Sequence, residues 1–150
     1  MKHIFILIAF LFSSAAAFAQ YLPSAVYVRP SIGYKNTLGL GVGYTNIKNF
    51  SVGAEVIGWS DLCGIVGGVD ARYYVTYSVV RPFVDLFVGY GQLGMTYQYQ
   101  SYYDFAYRAM LGINWRGFDL GGGVTYDSFY HLAPVATLSY TIPFVYSWKR

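Results

Sequence analysis

The chain has 150 residues, of which 11% are charged and 21% aromatic, with a formal net charge of +3 and a single cysteine. Ordinary soluble domains carry about 25% charged residues, so this chain has too little charge to coat a water-facing surface. Lys and Arg only slightly outnumber the acids and form no basic run, which excludes the electrostatic footprint of a nucleic-acid binder, and one thiol excludes an intramolecular disulfide.

Lys2 and His3 open a segment whose apolar run, Ile4 to Phe12, is followed by the small-x-small site Ala17-Phe18-Ala19 before Gln20. This is the pattern of a secretory signal peptide over residues 1–19 that is cut away, leaving residues 20–150 as a single domain. Its apolar run is too short for a transmembrane helix, and no other stretch approaches the roughly 20 apolar residues such a helix needs.

From Ala25 onward the hydrophobic period is two, the signature of strands whose faces meet different surroundings. In the first, Val26, Val28, Pro30, Ile32 and Tyr34 oppose Tyr27, Arg29, Ser31, Gly33 and Lys35. In the second, Leu38, Leu40, Val42 and Tyr44 oppose Gly39, Gly41, Gly43 and Thr45, and after a turn at Asn46 to Asn49 the third sets Val52, Ala54 and Val56 against Ser51, Gly53 and Glu55. The fourth, about Gly64 to Tyr77, carries Asp70 and Arg72 on its polar face, and the fifth, about Phe83 to Gly91, carries Asp85.

The sixth stretch, Tyr103 to Arg116, is the most regular. Phe105, Tyr107, Ala109, Leu111, Ile113 and Trp115 share one face, with aromatics near both ends and aliphatics between them, and Arg108 sits halfway along the other face. Arg116-Gly117 turns the chain into Phe118 to Tyr126, whose polar face carries Asp119, and the last strand runs from about Leu132 to Phe144 with Leu132, Pro134, Ala136, Leu138, Tyr140 and Ile142 on its oily side.

Eight strands of roughly ten residues match the length that crosses a bilayer at a tilt. An apolar outer band between aromatic girdles with a polar interior is the pattern of a transmembrane barrel. In hydrocarbon each unpaired backbone group costs several kcal/mol, so the sheet must close. The expected fold class is all-β, an eight-stranded antiparallel up-and-down transmembrane β-barrel. The chain resembles the small eight-stranded outer-membrane barrels of Gram-negative bacteria, the OmpA-type transmembrane domain and the OmpX-like proteins. The resemblance rests on alternation, strand count and signal peptide, and it implies a bacterial outer-membrane location. The C-terminal alternation of Phe144, Tyr146 and Trp148 ends on Lys149 and Arg150, where such barrels usually end on an aromatic residue.

With the first strand rising from the periplasm, Lys35 to Thr37, Asp61 to Cys63, Gln92 to Tyr102 and Asp127 to His131 become outer loops. The lumen then holds Arg29, Glu55, Asp70, Arg72, Asp85, Arg108 and Asp119. An eight-stranded barrel is just wide enough for side chains to fill, so these charges are expected to pair as a plug, the alternative being a narrow pore for small solutes or ions. Inward glycines such as Gly39, Gly41, Gly43, Gly121 and Gly123 leave room for the longer side chains.

Gly89 to Gly94 matches the spacing of a dinucleotide fingerprint but lacks the following helix that the motif needs. His131 with Asp127 and Ser128 is the one Ser/His/acid grouping, the basis of a lesser alternative as a lipid-modifying enzyme. Cys63 lies in no motif. No catalytic residue, metal or cofactor is therefore assigned. The segment from Gln92 to Tyr103, with Tyr97, Tyr99, Tyr102 and Tyr103, is expected to project as a hairpin able to take a strand of an extracellular protein partner. The other partner is outer-membrane lipid, around a monomer.

Overall fold

The structure, a computed structural model, describes residues 25–45, 49–59, 64–76, 79–95, 101–128 and 131–144. The proposed signal segment, Cys63, Tyr97, Tyr99 and the last six residues lie outside these. The described residues form strands β1 (Ala25–Tyr34), β2 (Asn36–Thr45), β3 (Phe50–Trp59), β4 (Gly64–Tyr74), β5 (Val80–Met95), β6 (Ser101–Trp115), β7 (Phe118–Asp127), β8 (His131–Tyr140) and β9 (Ile142–Phe144). Each pairs antiparallel with its sequence neighbour from β1 through β8, and β1 pairs on its other edge with β8 and then β9. The sheet is a closed up-and-down barrel of eight staves, the last made of β8 and β9 in succession.

The break in that last stave has a local cause. Ile32 pairs with Leu138 and Val28 with Ile142 in one unchanged register, and the gap falls opposite Arg29 and Pro30. Proline has no N–H to give the ladder, and Thr141 N–H donates instead to the Gly117 carbonyl at 2.8 Å. Gly117 and Arg116 form the two-residue turn between β6 and β7 with φ of 93° and 51°, the doubly positive pair that a tight hairpin requires.

Successive cross-strand partners starting at Arg29 are Gly41, Glu55, Gly68, Gly89, Ala106, Asp127 and His131. That rung ends at the start of β8, whereas Arg29 itself faces the β8–β9 gap, so the barrel closes with a stagger and its strands tilt. The upper end is taken here as the one joining β1 to β2, β3 to β4, β5 to β6 and β7 to β8.

The outward positions are apolar all the way around. Aliphatics such as Leu40, Val69, Leu86, Leu111 and Leu120 are exposed at the waist. Tyr34, Tyr90, Phe105, Tyr107 and Tyr126 lie toward the upper end and Tyr44, Phe50, Tyr73, Trp115 and Phe144 toward the lower. Tyr90 and Phe105 meet edge-on at 5.3 Å and Tyr107 leans on Tyr126 at 6.4 Å. Among the described residues no charged side chain occupies an outward position between the two belts.

The fifth strand and one outward position differ from expectation. β5 starts at Val80 and runs to Met95, past Gly91, because Gln92 pairs with Tyr103 and, after an irregularity, Gly94 with Tyr102 and Met95 with Ser101. Tyr140, placed on the oily face by its parity, is only 5% exposed, and its ring lies 4.5 Å from that of Phe118 on the neighbouring stave.

The inward glycines are not equivalent. A Cβ at Gly112 would lie 2.4 Å from both the Phe83 ring tip and the Leu120 carbonyl, whereas at Gly41 nothing comes nearer than 3.7 Å. Gly112→Ala is expected to lose about 1–3 kcal/mol by overpacking. Gly41→Ala should be neutral or gain about 0.4–1 kcal/mol through the unfolded state. Urea midpoints in lipid vesicles check both, and equal midpoints for the two variants would contradict the packing described.

Candidate functional site

Among the described residues, buried charge is concentrated in the lumen. Arg29, Glu55, Asp70, Arg72, Asp85, Arg108 and Asp119 are each at most 4% exposed. Arg29 Nη2 donates to Asp70 Oδ2 at 2.5 Å, linking β1 to β4. Arg72 donates through Nε to Asp85 Oδ2 at 2.9 Å and through Nη1 to Asp119 Oδ2 at 2.7 Å. Arg108 donates through Nη2 to Glu55 Oε2 at 2.7 Å and to Asp85 Oδ1 at 3.1 Å. Three of these contacts, β1 to β4, β4 to β7 and β6 to β3, join staves three apart, so the network crosses the bore instead of lining it.

Each guanidinium also lies against an aromatic ring from the same interior. Arg29 sits 5.2 Å from the Tyr27 ring, Arg72 4.1 Å from Phe83 and Arg108 5.0 Å from Phe87. A flat cation stacked on a ring face and hydrogen-bonded at its edge uses both recognition modes that arginine offers and lysine does not.

Below the network the polar groups continue toward the lower mouth. Asp119 also accepts from Asn114 Nδ2 at 2.6 Å, Ser139 Oγ at 3.1 Å and Thr141 Oγ1 at 3.2 Å. Asn114 Oδ1 accepts in turn from Arg81 Nη2 at 2.8 Å, and Arg81 covers the Tyr74 ring at 4.7 Å. Toward the upper end the interior changes character. Ile57, Trp59, Val66, Phe87, Leu93 and Ala106 form a buried apolar cluster with Tyr102 packed on it, and Trp59 Nε1 donates to the buried Asp127 carboxylate at 2.8 Å.

The upper rim does not assemble the Ser/His/acid grouping. Ser128 Oγ bonds to Asp104 Oδ2 and lies 3.1 Å from the Tyr102 hydroxyl, Asp127 is turned to Trp59, and no Ser128–His131 hydrogen bond occurs among the described residues. Asp104 projects beyond the last β6–β7 rung, and the Ser128 hydroxyl and then the Phe105 N–H hold its carboxyl below the ordinary range. Of the hairpin tyrosines that are described, Tyr103 is exposed outward while Tyr102 belongs to the lumen side.

The aromatic partners of the arginines, the Asn114 relay and the apolar layer are additions to the seven charged residues read from sequence. Strand parity placed Phe87 and Asn114 inward. Parity with Glu55 turns Ile57 and Trp59 inward, but no local signal tells that they meet Val66, Phe87 and Leu93 to close the upper bore.

Neither a protein-family model nor a curated protein sequence matches the chain. Among solved structures it is similar to the N-terminal β-barrel domain of Pseudomonas aeruginosa OprF, with a TM-score of 0.54 and 14% identity, over 81% of this chain and 96% of that one. The chain is thus an all-β protein with the closed, eight-stranded, antiparallel up-and-down barrel fold of that OprF domain.

Proposed function

We propose that the chain is an integral protein of the bacterial outer membrane, exported through the secretory pathway and freed of residues 1–19, whose side-chain-filled lumen does not conduct. Its role is structural or one of surface interaction, without catalysis. Support for the membrane comes from the continuous apolar exterior between two aromatic belts, the architecture of outer-membrane barrels, and from the fold shared with the OprF domain. The observation that carries the closed lumen is the stacking of two unlike layers. An ion that threaded the charge network would still meet the packed side chains of Ile57, Val66 and Leu93, each 0% exposed, which offer no oxygen in place of its hydration.

In this reading the lower end faces the periplasm. The β5–β6 hairpin stands above the upper belt and offers strand edges and tyrosines to an extracellular protein partner. Purified protein in planar bilayers is expected to give no steady single-channel openings. Ile57→Ser/Leu93→Ser, which makes the upper layer polar, serves as the comparison. Steady openings of the unmodified protein would overturn the closed-lumen reading and favour the narrow pore.

A further inference from the structure

At its upper end β6 outruns one of its two neighbours. The ladder with β7 stops at the Ala106–Asp127 pair, whereas the ladder with β5 runs on through Phe105, Asp104 and Tyr103 to Ser101, which face Tyr90, Gly91, Gln92 and Met95. Among the described residues no backbone hydrogen bond joins Phe105 to Ser128, where the next β6–β7 rung would fall. The β7-side edge of β6 is therefore open above Ala106.

One acid covers that edge. The Phe105 N–H donates to Asp104 Oδ1 at 2.7 Å, so it points away from β5. Backbone groups alternate between the two edges of a strand, which turns the N–H and C=O of Tyr103 to the open side as well. Such a row of groups is a template for another strand. Asp104 Oδ2 accepts from Ser128 Oγ, and that hydroxyl lies 3.1 Å from the Tyr102 hydroxyl. No Lys or Arg pairs with Asp104 among the described residues. A strand that bonds to Phe105 must take its N–H from Asp104, and the carboxylate then needs a new partner.

Building on the surface role proposed for the hairpin, we infer that the edge beside Tyr103 and Phe105 takes an antiparallel strand of an extracellular protein carrying lysine or arginine opposite Asp104, with apolar residues on either side of it. The alternation sets this chemistry. Because Tyr103 and Phe105 supply the backbone bonds, Asp104 falls in a non-hydrogen-bonded pair, with Cα atoms about 4.5 Å apart and side chains close together. Opposite charges stabilise such a pair and like charges destabilise it. The partner residues facing Tyr103 and Phe105 lie on the outward side with those rings, 55% and 52% exposed, and β-branched or aromatic side chains pair well there. Until a strand arrives Asp104 blocks the edge, so the same acid protects it and selects what displaces it.

The test uses the full chain folded into uncharged phospholipid vesicles and two fluorescent peptides of alternating threonine and valine, one with a central lysine in place of threonine and one with glutamate there. Anisotropy should show saturable binding of the lysine peptide beyond what empty vesicles retain, about threefold to tenfold tighter than that of the glutamate peptide. Asp104→Asn, whose amide oxygen can still accept the Phe105 N–H, should make the two peptides equal. N-methylation of the lysine peptide at its edge-facing nitrogens should abolish binding without altering its charge. Saturable but equal binding of both peptides to the unmodified chain would overturn selection by Asp104 and leave the hairpin reading standing. Binding of neither would overturn both. Undiminished binding of the N-methylated peptide would mark a purely ionic contact and refute the strand pairing.

Discussion

Arg72→Met is expected to lose about 3–5 kcal/mol of unfolding free energy, the usual consequence of removing one partner from a buried ion pair. Among the described residues its guanidinium alone bonds both Asp85 and Asp119, at 2.9 and 2.7 Å, and at 2% exposure water cannot take its place. Against a typical total of roughly 5–15 kcal/mol, this should shift the urea midpoint strongly downward. Arg72→Met/Asp119→Asn should recover most of the loss, because Asp85 retains Arg108 at 3.1 Å and the surplus charge created by the single change is gone. A double variant as unstable as the single one would mean that the stack on Phe83, 4.1 Å away, matters more than the ion pairs.

The contrast between Arg72 and its neighbours shows how far sequence carries the fold. Alternation in β6 sorts Arg108 from Ala109 and Leu111 without any coordinates, because a strand's faces differ by one residue, and the same parity puts Glu55, Asp70, Asp85 and Asp119 inside. The tight turn at Arg116-Gly117 is equally local. Height is not. A tilted, staggered barrel brings Arg29 to Asp70 across three staves, and that depends on the shear of the closed sheet, which no single strand encodes.

Parity sorts Val66 and Phe87 inward, but that they join Ile57, Trp59 and Leu93 in one apolar layer is hidden for a related reason. Ile57 and Val66 are hydrophobic, and in a chain whose outside is oily an apolar residue carries no mark of the side it faces; only its parity with Glu55 and Asp70 does. Tyr140 is the opposite case. Its parity is outward, but a stave interrupted at Thr141 and a neighbour as large as Phe118 cover it. The alternating tyrosines point to a hairpin above the belt, but the strand limit at Gly91 falls short, because glycines at 91 and 94 read as a strand top until Gln92 is seen paired with Tyr103.

Leu86→Arg tests the outside as Arg72→Met tests the inside. Leu86 points outward at the waist, 55% exposed, between the lumen residues Asp85 and Phe87, with Ala71 and Ala109 as its cross-strand partners. An arginine near the bilayer midplane of such a barrel costs about 2–4 kcal/mol, falling to about 0–1 kcal/mol near the interfaces. Val75, equally exposed but two residues below Tyr73 of the lower belt, supplies the interface control, so Val75→Arg should unfold in urea close to the unmodified chain. In a water-soluble barrel neither change would cost much, since both side chains would meet solvent. The difference between the two midpoints, measured in vesicles, therefore reports what surrounds the waist, and a Leu86→Arg midpoint as high as that of Val75→Arg would remove the hydrocarbon from around it.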